Sequence, residues 1–233
     1  MKKLYKVTES QCGNNGFLKL SSLFLMLQDI AADHVEELGY GQEAILKDGM
    51  LWVVSNQAAD IKRMPESGEE VVIRTWAEKT KMMFFPRRYQ VISKDGETII
   101  EAGAMWALID VENRKVVSPK ERAVVIRDYS EEDSDILHLK PHAIQTTEQS
   151  EFTIPESFID SNGHMNNARY FDIADVVLAE ATEGKVAKKV IARYMKESFE
   201  NDVLTVKWGV EDSNYYLTCE SEHGNHIKMQ ITY

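Results

Sequence analysis

Apolar residues recur at helical spacing near the start of the chain. They occupy Leu20, Leu23, Phe24, Leu27, Ile30, Ala31, Val35 and Leu38. Residues three and four positions apart lie on one face of a helix, so this spacing predicts an amphipathic helix over Leu20–Leu38. Gly39 follows directly and is a typical helix stop.

Stretches rich in β-branched and aromatic residues follow this helix and predict strands. They cover Leu51–Arg63, Glu70–Glu78, Met82–Ser93 and Thr98–Asp110. The turn residues Lys94-Asp95-Gly96 separate the last two stretches and predict a hairpin. The first part of the chain is therefore expected to form one long helix followed by an antiparallel meander.

The same order of elements restarts after an acidic, polar segment at residues 128–142, which contains Pro141 and predicts a linker. Glu148–Ile154 alternates like a strand, and helical spacing then begins near Asn166 and ends at Gly184. Four more strand patterns complete the chain. They cover Lys189–Glu197, Val203–Val210, Tyr215–Glu220 and Ile227–Tyr233.

Two pairs of segments suggest an internal duplication. Tyr5–Gly16 and Phe152–Gly163 have equal length and both lead into a predicted helix, while Val71–Trp76 matches Val203–Trp208. Coincidence is the alternative, because any two α+β halves share some apolar positions. The common element order, a shared asparagine and a paired tryptophan favour duplication. The prediction is an α+β fold in two units, residues 1–135 and 136–233.

Composition restricts the class of protein. The 233 residues include 27 Lys and Arg and 38 Asp and Glu, a net charge of −11. Nucleic acids and anionic membranes both need a basic face, so this charge argues against a general binder of either, while a local basic patch for one acidic partner stays open. No apolar run approaches the roughly 20 residues of a membrane span, and the polar residues after the N-terminus do not suit a signal peptide. Cys12 and Cys219 are too far apart in sequence to indicate a disulfide framework or a metal-ligand cluster. The expectation is a cytoplasmic protein without metal or cofactor.

The densest group of chemically useful side chains precedes the second helix. Asp160, Asn162 and His164 occupy alternate positions, so their side chains can converge. The helix start adds unpaired N–H groups and a positive dipole end that can stabilise an oxyanion. A polar turn with a helix cap is the alternative, and it is favoured for Asn166 or Asn167 taken singly.

The first half has other residues at the equivalent positions. Gly13 and Phe17 stand where the second half has Asp160 and His164, so we expect chemistry in the second half only. Glu197 ends a predicted strand that follows the second helix. It is either a solvated strand end or the partner of His164 in activating a water molecule.

These residues resemble the plant-type acyl-acyl carrier protein thioesterases and their bacterial relatives. The family motif Asp-x-Asn-x-His-x-Asn-Asn-x-x-Tyr is intact from Asp160 to Tyr170. A later family block is similar to Tyr194–Ser198, where Ser198 replaces the cysteine once favoured as a nucleophile. The resemblance covers most of the chain.

The resemblance implies a tandem (double) hot dog fold, with two long helices each wrapped by a shared antiparallel sheet. It implies hydrolysis of fatty acyl thioesters on acyl carrier protein, with Asp160, Asn162, His164 and Glu197 as catalytic residues. The hypothesis is that Glu197 and His164 activate water, while a covalent acyl-Glu197 anhydride is the alternative. Asn162 would orient the reacting groups and Asp160 would hold its neighbours in place. A cysteine nucleophile does not carry over.

Further residues are candidates for substrate binding. They are Asn166, Asn167, Arg87, Arg88, Phe17 and Phe84. Phe17 and the stretch Met82–Phe85 can line an acyl tunnel, although each can equally belong to the core. Arg87 and Arg88 should point to opposite faces of a strand, where one meets the phosphopantetheine arm or the carrier, or forms a surface ion pair. An acyl-CoA thioesterase, a non-catalytic acyl-binding module, and a monomer or homodimer all remain open.

Overall fold

A computed structural model gives the fold and describes residues 1–119, 124, 126, 129–130, 136 and 139–233. The helices are α1 (Leu20–Glu37), α2 (Gln42–Lys47) and α3 (Arg169–Val177). The strands are β1 (Lys2–Lys6), β2 (Met50–Ile61), β3 (Glu70–Glu78), β4 (Phe84–Ser93), β5 (Thr98–Asp110), β6 (Tyr129–Ser130), β7 (Glu148–Thr153), β8 (Lys189–Tyr194), β9 (Val203–Glu211), β10 (Asn214–Ser221) and β11 (Gly224–Thr232).

One sheet contains all of these strands. Its order is β1-β3-β4-β5-β2-β8-β11-β10-β9-β7, and β6 pairs with β3 beside this path. Reading inwards from either edge meets equivalent strands of the two halves, so the topology is a pseudo-twofold repeat. The predicted duplication is confirmed, and the arrangement is a double hot dog fold.

The two halves join along the β2–β8 pair at the centre of the sheet. The pair is antiparallel and runs from Asn56↔Arg193 to Asp60↔Lys189. Across it, the buried Tyr194 hydroxyl donates to Gln57 Oε1 at 2.8 Å. Both halves therefore share one hydrogen-bonded sheet.

Helices α1 and α3 pack against each other over this sheet. The α1 bounds match the predicted helix because its apolar stripe, which includes Leu23, Leu27 and Ile30, is buried in the main core. Phe24 of α1 stacks on Phe171 of α3 with ring centroids 4.6 Å apart. This contact places the start of α3, and the loop before it, beside the first half.

Helix α3, the predicted helix of the second half, is shorter than expected. It begins at Arg169 and ends at Val177. At its start, Asn166 Oδ1 accepts the N–H of Ala168, which forms an Asx turn instead of a helical turn. At its end, the Ala181 carbonyl is occupied by the Tyr215 hydroxyl and by Lys185 Nζ. Side chains therefore bond to the Ala168 N–H and to the Ala181 carbonyl, which a longer helix would use in its own backbone hydrogen bonds.

The remaining predicted elements agree with the structure to within a few residues. Glu70–Glu78 and Thr98–Asp110 have the predicted bounds, and the hairpin at residues 94–96 is present. The predicted linker at residues 128–142 and the unit boundary at 135 lie largely outside the described residues. Within the described part of the chain, no helix is long and apolar enough to cross a membrane.

Candidate functional site

A cavity of about 990 Å³ lies between the two halves. This volume is at the upper end of the usual range for ligand sites. From the second half it is lined by the loop at residues 160–167 and by residues 194–199. Apolar residues of the first half line another part of it. They include Val35, Ile45, Trp52, Phe85, Trp106 and Ile109.

The loop before α3 is held by hydrogen bonds within the loop, made by the Asp160 side chain and by the backbone. Asp160 Oδ1 accepts the N–H of Asn162 at 2.8 Å, with the N–H of His164 at 3.5 Å, and the Asp160 N–H donates to the His164 carbonyl at 2.8 Å. Gly163 takes φ +79°, a left-handed conformation that favours glycine. Asp160 therefore shapes the loop, and Asn162 and His164 line the cavity from it.

Asn162 is oriented from the other half of the molecule. Its Oδ1 accepts a hydrogen bond from Nε2 of Gln42, at 2.8 Å, at the start of α2. Because the carbonyl end of the Asn162 amide is engaged, its NH₂ group is the end left for a ligand.

His164 and Glu197 come together as predicted. His164 Nε2 lies 3.7 Å from Glu197 Oε2, and both residues line the cavity. The other carboxylate oxygen, Oε1, pairs with the guanidinium of Arg114. Glu197 thus bridges an imidazole from its own half and a cation from the first half.

The His164 ring is poised to accept a proton. Burial, together with the nearby Arg114 charge, lowers the pKa of His164 below its usual value, although Asp160 opposes the shift. The ring also packs on Phe199, with centroids 5.1 Å apart. A lowered pKa keeps the imidazole neutral at pH 7, which is the form that a general base requires.

Most N–H groups before α3 already have protein partners. Met165 donates to the Ser198 carbonyl, Asn166 to the Phe158 carbonyl, and Ala168 to the Asn166 side chain. The backbone N–H of Asn167 makes no hydrogen bond to any described residue, and Asn167 lines the cavity. Of the N–H groups at the start of α3 that were predicted to bind an oxyanion, the N–H of Asn167 is therefore the main one still available.

Arg87 and Arg88 do point to opposite faces of β4. Arg87 lines the cavity, where Nη1 contacts His34 Nδ1 at 2.8 Å and Thr75 Oγ1 at 3.1 Å. Arg88 Nη1 lies 3.7 Å from Glu78 Oε1, and Arg88 Nη2 lies 3.7 Å from Glu101 Oε2. Arg88 therefore forms ion pairs, which was the alternative to substrate binding. Only 3% of Arg87 and 8% of Arg88 are exposed, which leaves neither free to meet the surface of a carrier protein.

Phe17 and Phe84 lie outside the cavity lining. Phe17 packs against the main core beside the first-half loop. Side chains alternate along β4, and the face toward the cavity carries Phe85 instead of its neighbour Phe84. The Phe85 ring meets the Trp52 ring edge-on, with centroids 4.9 Å apart. Met82 is 88% exposed and does not contribute to a tunnel.

Neither of the two cysteines is positioned for catalysis. Cys219 is buried, and neither it nor Cys12 lines the cavity. Ser198, at the position of the family cysteine, is 1% exposed and its Oγ lies 2.8 Å from the Tyr170 hydroxyl and 2.7 Å from His226 Nδ1.

The sequence did not indicate Gln42, Arg114 or His226. Gln42 and Arg114 belong to the half without the polar motif, and only the fold brings them to it. His226 lies on β11, behind the segment that carries Glu197. Arg114 lies in the tight turn after β5 with a left-handed φ of +56°, which the sequence does not show.

Comparison with known proteins agrees with this geometry. Residues 1–125 match the family model of the acyl-ACP thioesterase N-terminal domain, and residues 141–232 match the acyl-ACP thioesterase C-terminal domain. The chain belongs to the acyl-ACP thioesterase family.

Plant members of the acyl-ACP thioesterase family are distant in sequence. The chloroplastic acyl-acyl carrier protein hydrolase FATB2 of Cuphea viscosissima is 20% identical over 94% of this chain and 57% of its own length. The palmitoyl-acyl carrier protein thioesterase of Arabidopsis thaliana is 21% identical over 97% of this chain and 60% of its own length. The chain thus spans about 60% of the curated relatives it matches.

Solved structures cover the whole fold. An acyl-ACP thioesterase from Bacteroides thetaiotaomicron superimposes with a TM-score of 0.82 at 25% identity, covering 100% of this chain and 96% of that one. The 12:0-ACP thioesterase from Umbellularia californica gives a TM-score of 0.86 at 15% identity, with coverage of 100% and 96%. The second likeness shows the fold alone.

Proposed function

We propose that this chain hydrolyses fatty acyl thioesters carried by acyl carrier protein, releasing the free fatty acid and the carrier thiol. The observation that carries the proposal is the His164–Glu197–Arg114 arrangement beside a cavity of about 990 Å³. Membership of the acyl-ACP thioesterase family supports the carrier-bound substrate.

Water is the proposed nucleophile. The 3.7 Å between His164 Nε2 and Glu197 Oε2 is too long for a direct hydrogen bond, but one water molecule can bond to both atoms. Neutral His164 takes a proton from this water as its oxygen attacks the thioester carbonyl carbon. The carboxylate of Glu197 stabilises the imidazolium that forms.

The oxyanion of the tetrahedral intermediate needs hydrogen-bond donors. The free backbone N–H of Asn167 and the NH₂ group of Asn162 are the proposed donors, since Gln42 holds the other end of the Asn162 amide. When the intermediate collapses, the C–S bond breaks and His164 returns its proton to the leaving thiolate. Asp160 acts through the loop that it shapes.

The pairing with Arg114 favours water attack over an acyl-Glu197 anhydride. A carboxylate oxygen paired with a guanidinium is a weaker nucleophile, because its negative charge is already stabilised. Acid quenching during turnover, followed by mass spectrometry, separates the routes: an acylated peptide containing Glu197 would support the anhydride.

The apolar part of the cavity is the proposed site for the acyl chain. Its walls come from first-half residues such as Val35, Trp52 and Phe85. Asn166, whose side chain caps the loop, and Asn167 then lie near the thioester, and Arg87 provides a polar position in the cavity wall.

The test compares fatty acid release from palmitoyl-acyl carrier protein and palmitoyl-CoA by the wild type, Glu197→Gln, His164→Gln and Asn162→Ala. General acid–base groups contribute roughly 10² to 10⁴ in rate, so we expect losses of that order for the first two folded variants. Near-normal rates in all three variants would overturn the site. Preference for the CoA substrate would indicate an acyl-CoA thioesterase, and binding without turnover an acyl-binding module.

A further inference from the structure

Ser198 follows Glu197 and is almost completely buried, at 1% exposure. Its hydroxyl lies between two buried side chains, with Oγ 2.8 Å from the Tyr170 hydroxyl on α3 and 2.7 Å from His226 Nδ1 on β11. Ser198 therefore connects the segment that carries Glu197 to a helix and to a strand.

His226 holds this segment at two points. Its carbonyl accepts the N–H of Met195 at 2.8 Å and that of Lys196 at 3.3 Å. Its ring binds the Ser198 hydroxyl. Because β8 ends at Tyr194, these contacts replace the sheet pairing that would otherwise hold the backbone on either side of Glu197.

The same serine also holds the loop of His164. The Ser198 carbonyl accepts the N–H of Met165, the residue after His164, at 2.8 Å. One residue thus lies next in sequence to Glu197 and bonds directly to the neighbour of His164. The spacing between the two site residues depends on where Ser198 is held.

The hydrogen bonds around Ser198 have a consistent direction. Burial lowers the pKa of His226 and so favours the neutral ring, which in its Nε2-protonated tautomer accepts from the Ser198 hydroxyl at Nδ1. The opposite nitrogen, Nε2, then donates to Ser221 Oγ at 2.8 Å. Tyr170 donates to Ser198 Oγ. A hydroxyl suits this place because it accepts and donates well, whereas a thiol does both weakly.

We propose that Ser198 and His226 are positioning residues that set the distance between His164 and Glu197, and that Ser198 is not a nucleophile. The inference rests on the proposed function. It extends that function by assigning a role in turnover to a buried pair whose side chains bond to each other and not to the reacting groups.

The experiment measures kcat and KM on palmitoyl-acyl carrier protein for Ser198→Ala and His226→Ala. A displacement of about 1 Å in an active site can cost about 10²-fold in rate. We expect kcat to fall by 10-fold to 10²-fold with KM almost unchanged. His226→Asn should recover most of the loss, because its Oδ1 can accept from Ser198 where Nδ1 did.

Tyr215→Phe is the matched control. It removes the hydrogen bond from the Tyr215 hydroxyl to the Ala181 carbonyl in the same half, but Tyr215 does not line the cavity. It should lower the unfolding temperature by an amount similar to Tyr170→Phe and leave kcat unchanged. Tyr170→Phe keeps the Ser198–His226 bond and should lose less than 10-fold in kcat.

Three results would overturn the proposal. The first is kcat within twofold of the wild type in Ser198→Ala and His226→Ala despite lowered unfolding temperatures. The second is a kcat of folded His226→Asn that does not exceed the kcat of folded His226→Ala. This comparison tests the proposal even if Ser198→Ala does not fold. The third is an acyl adduct on Ser198. A wild type inactive on every thioester would instead count against the proposed function itself.

Discussion

Arg114 of the first half and Glu197 of the second form an ion pair in the lining of the cavity between the halves. The pair leaves Oε2 of Glu197 facing His164. The half that lacks the polar motif therefore supplies the charge that holds the carboxylate of the half that has it.

Replacing Arg114 should move the acid limb of the pH–rate profile. The Arg114 charge helps to lower the pKa of His164, so Arg114→Gln should raise that pKa. Since neutral His164 is the proposed base, kcat/KM should then begin to fall at a higher pH than in the wild type. Loss of the carboxylate's partner should also reduce kcat by about 10-fold, equivalent to ~1.4 kcal/mol.

Lys115→Gln is the control for this profile, because Lys115 is an exposed neighbouring cation outside the cavity lining. Its acid limb should coincide with that of the wild type. An unshifted limb in Arg114→Gln would show that His164 does not titrate as the base.

Gly163 and Gly16 form a matched pair in the duplicated loops. Their φ angles are +79° and +80°, and an added Cβ would meet no atom within 4 Å at either position. Alanine in this conformation costs about 1–2 kcal/mol, so both alanine variants should lose similar free energy of unfolding. Only Gly163→Ala should also lose kcat, because only that loop carries His164. Equal kcat in the two variants would argue against a rigid catalytic loop.

Thiol reagents should not abolish the proposed thioester hydrolysis. Burial raises the pKa of both the Cys12 and Cys219 thiols, and neither residue lines the cavity. Thiolate is the reactive form, so treatment with iodoacetamide at pH 7 should leave the rate of fatty acid release unchanged. Rapid inactivation that substrate prevents would contradict a cavity lining without cysteine.

Asp175 should destabilise the fold at neutral pH. Burial raises its pKa to about 6 from 3.8, with a contribution from Asp172. An acid with a raised pKa favours folding less as pH rises through that range, so Asp175→Asn should increase the free energy of unfolding at pH 8 by about 2–3 kcal/mol. The gain should disappear near pH 4. Glu180→Gln, on the exposed turn that follows, should show neither effect.

Denaturant titrations at the two pH values provide the measurement. Asp175 lies outside the cavity lining, so kcat of Asp175→Asn should match the wild type. A stability gain that is the same at pH 4 and pH 8 would assign the effect to packing and not to charge.

Local patterns were sufficient for most of the secondary structure. The bounds of α1 and several strands follow from hydrophobic period and turn residues, and the density of polar residues indicated the loop at 160–167. The end of α3 did not follow, because the contact from the Tyr215 hydroxyl to the Ala181 carbonyl is tertiary. Phe84 was chosen over Phe85 because composition alone does not fix which face of a strand is buried.

The candidate site shows the same limit more sharply. His164 was indicated by the dense polar stretch that precedes the second predicted helix. Glu197 was indicated by its place at the end of the strand after that helix and by the family resemblance. Gln42 contacts Asn162 and Arg114 contacts Glu197 from the first half, at sequence separations of 120 and 83 residues. Nothing in their local sequence sets them apart, and only the β2–β8 junction brings them into reach.

The β2–β8 junction also determines how many sites the molecule can have. Two identical units paired along these strands would create two equal sites, each completed by the other unit. Fusion in one chain removes that equality, and the two places differ. Arg63 follows β2 as Glu197 follows the equivalent strand β8, but Arg63 binds Glu69 through Nη1 and Nη2. The covalent connection keeps the halves at an effective concentration of about millimolar, so a half with no chemistry of its own is never lost from its partner. Apart from Gln42 and Arg114, which contact the site of the other half, it can change its cavity walls without altering the reacting groups.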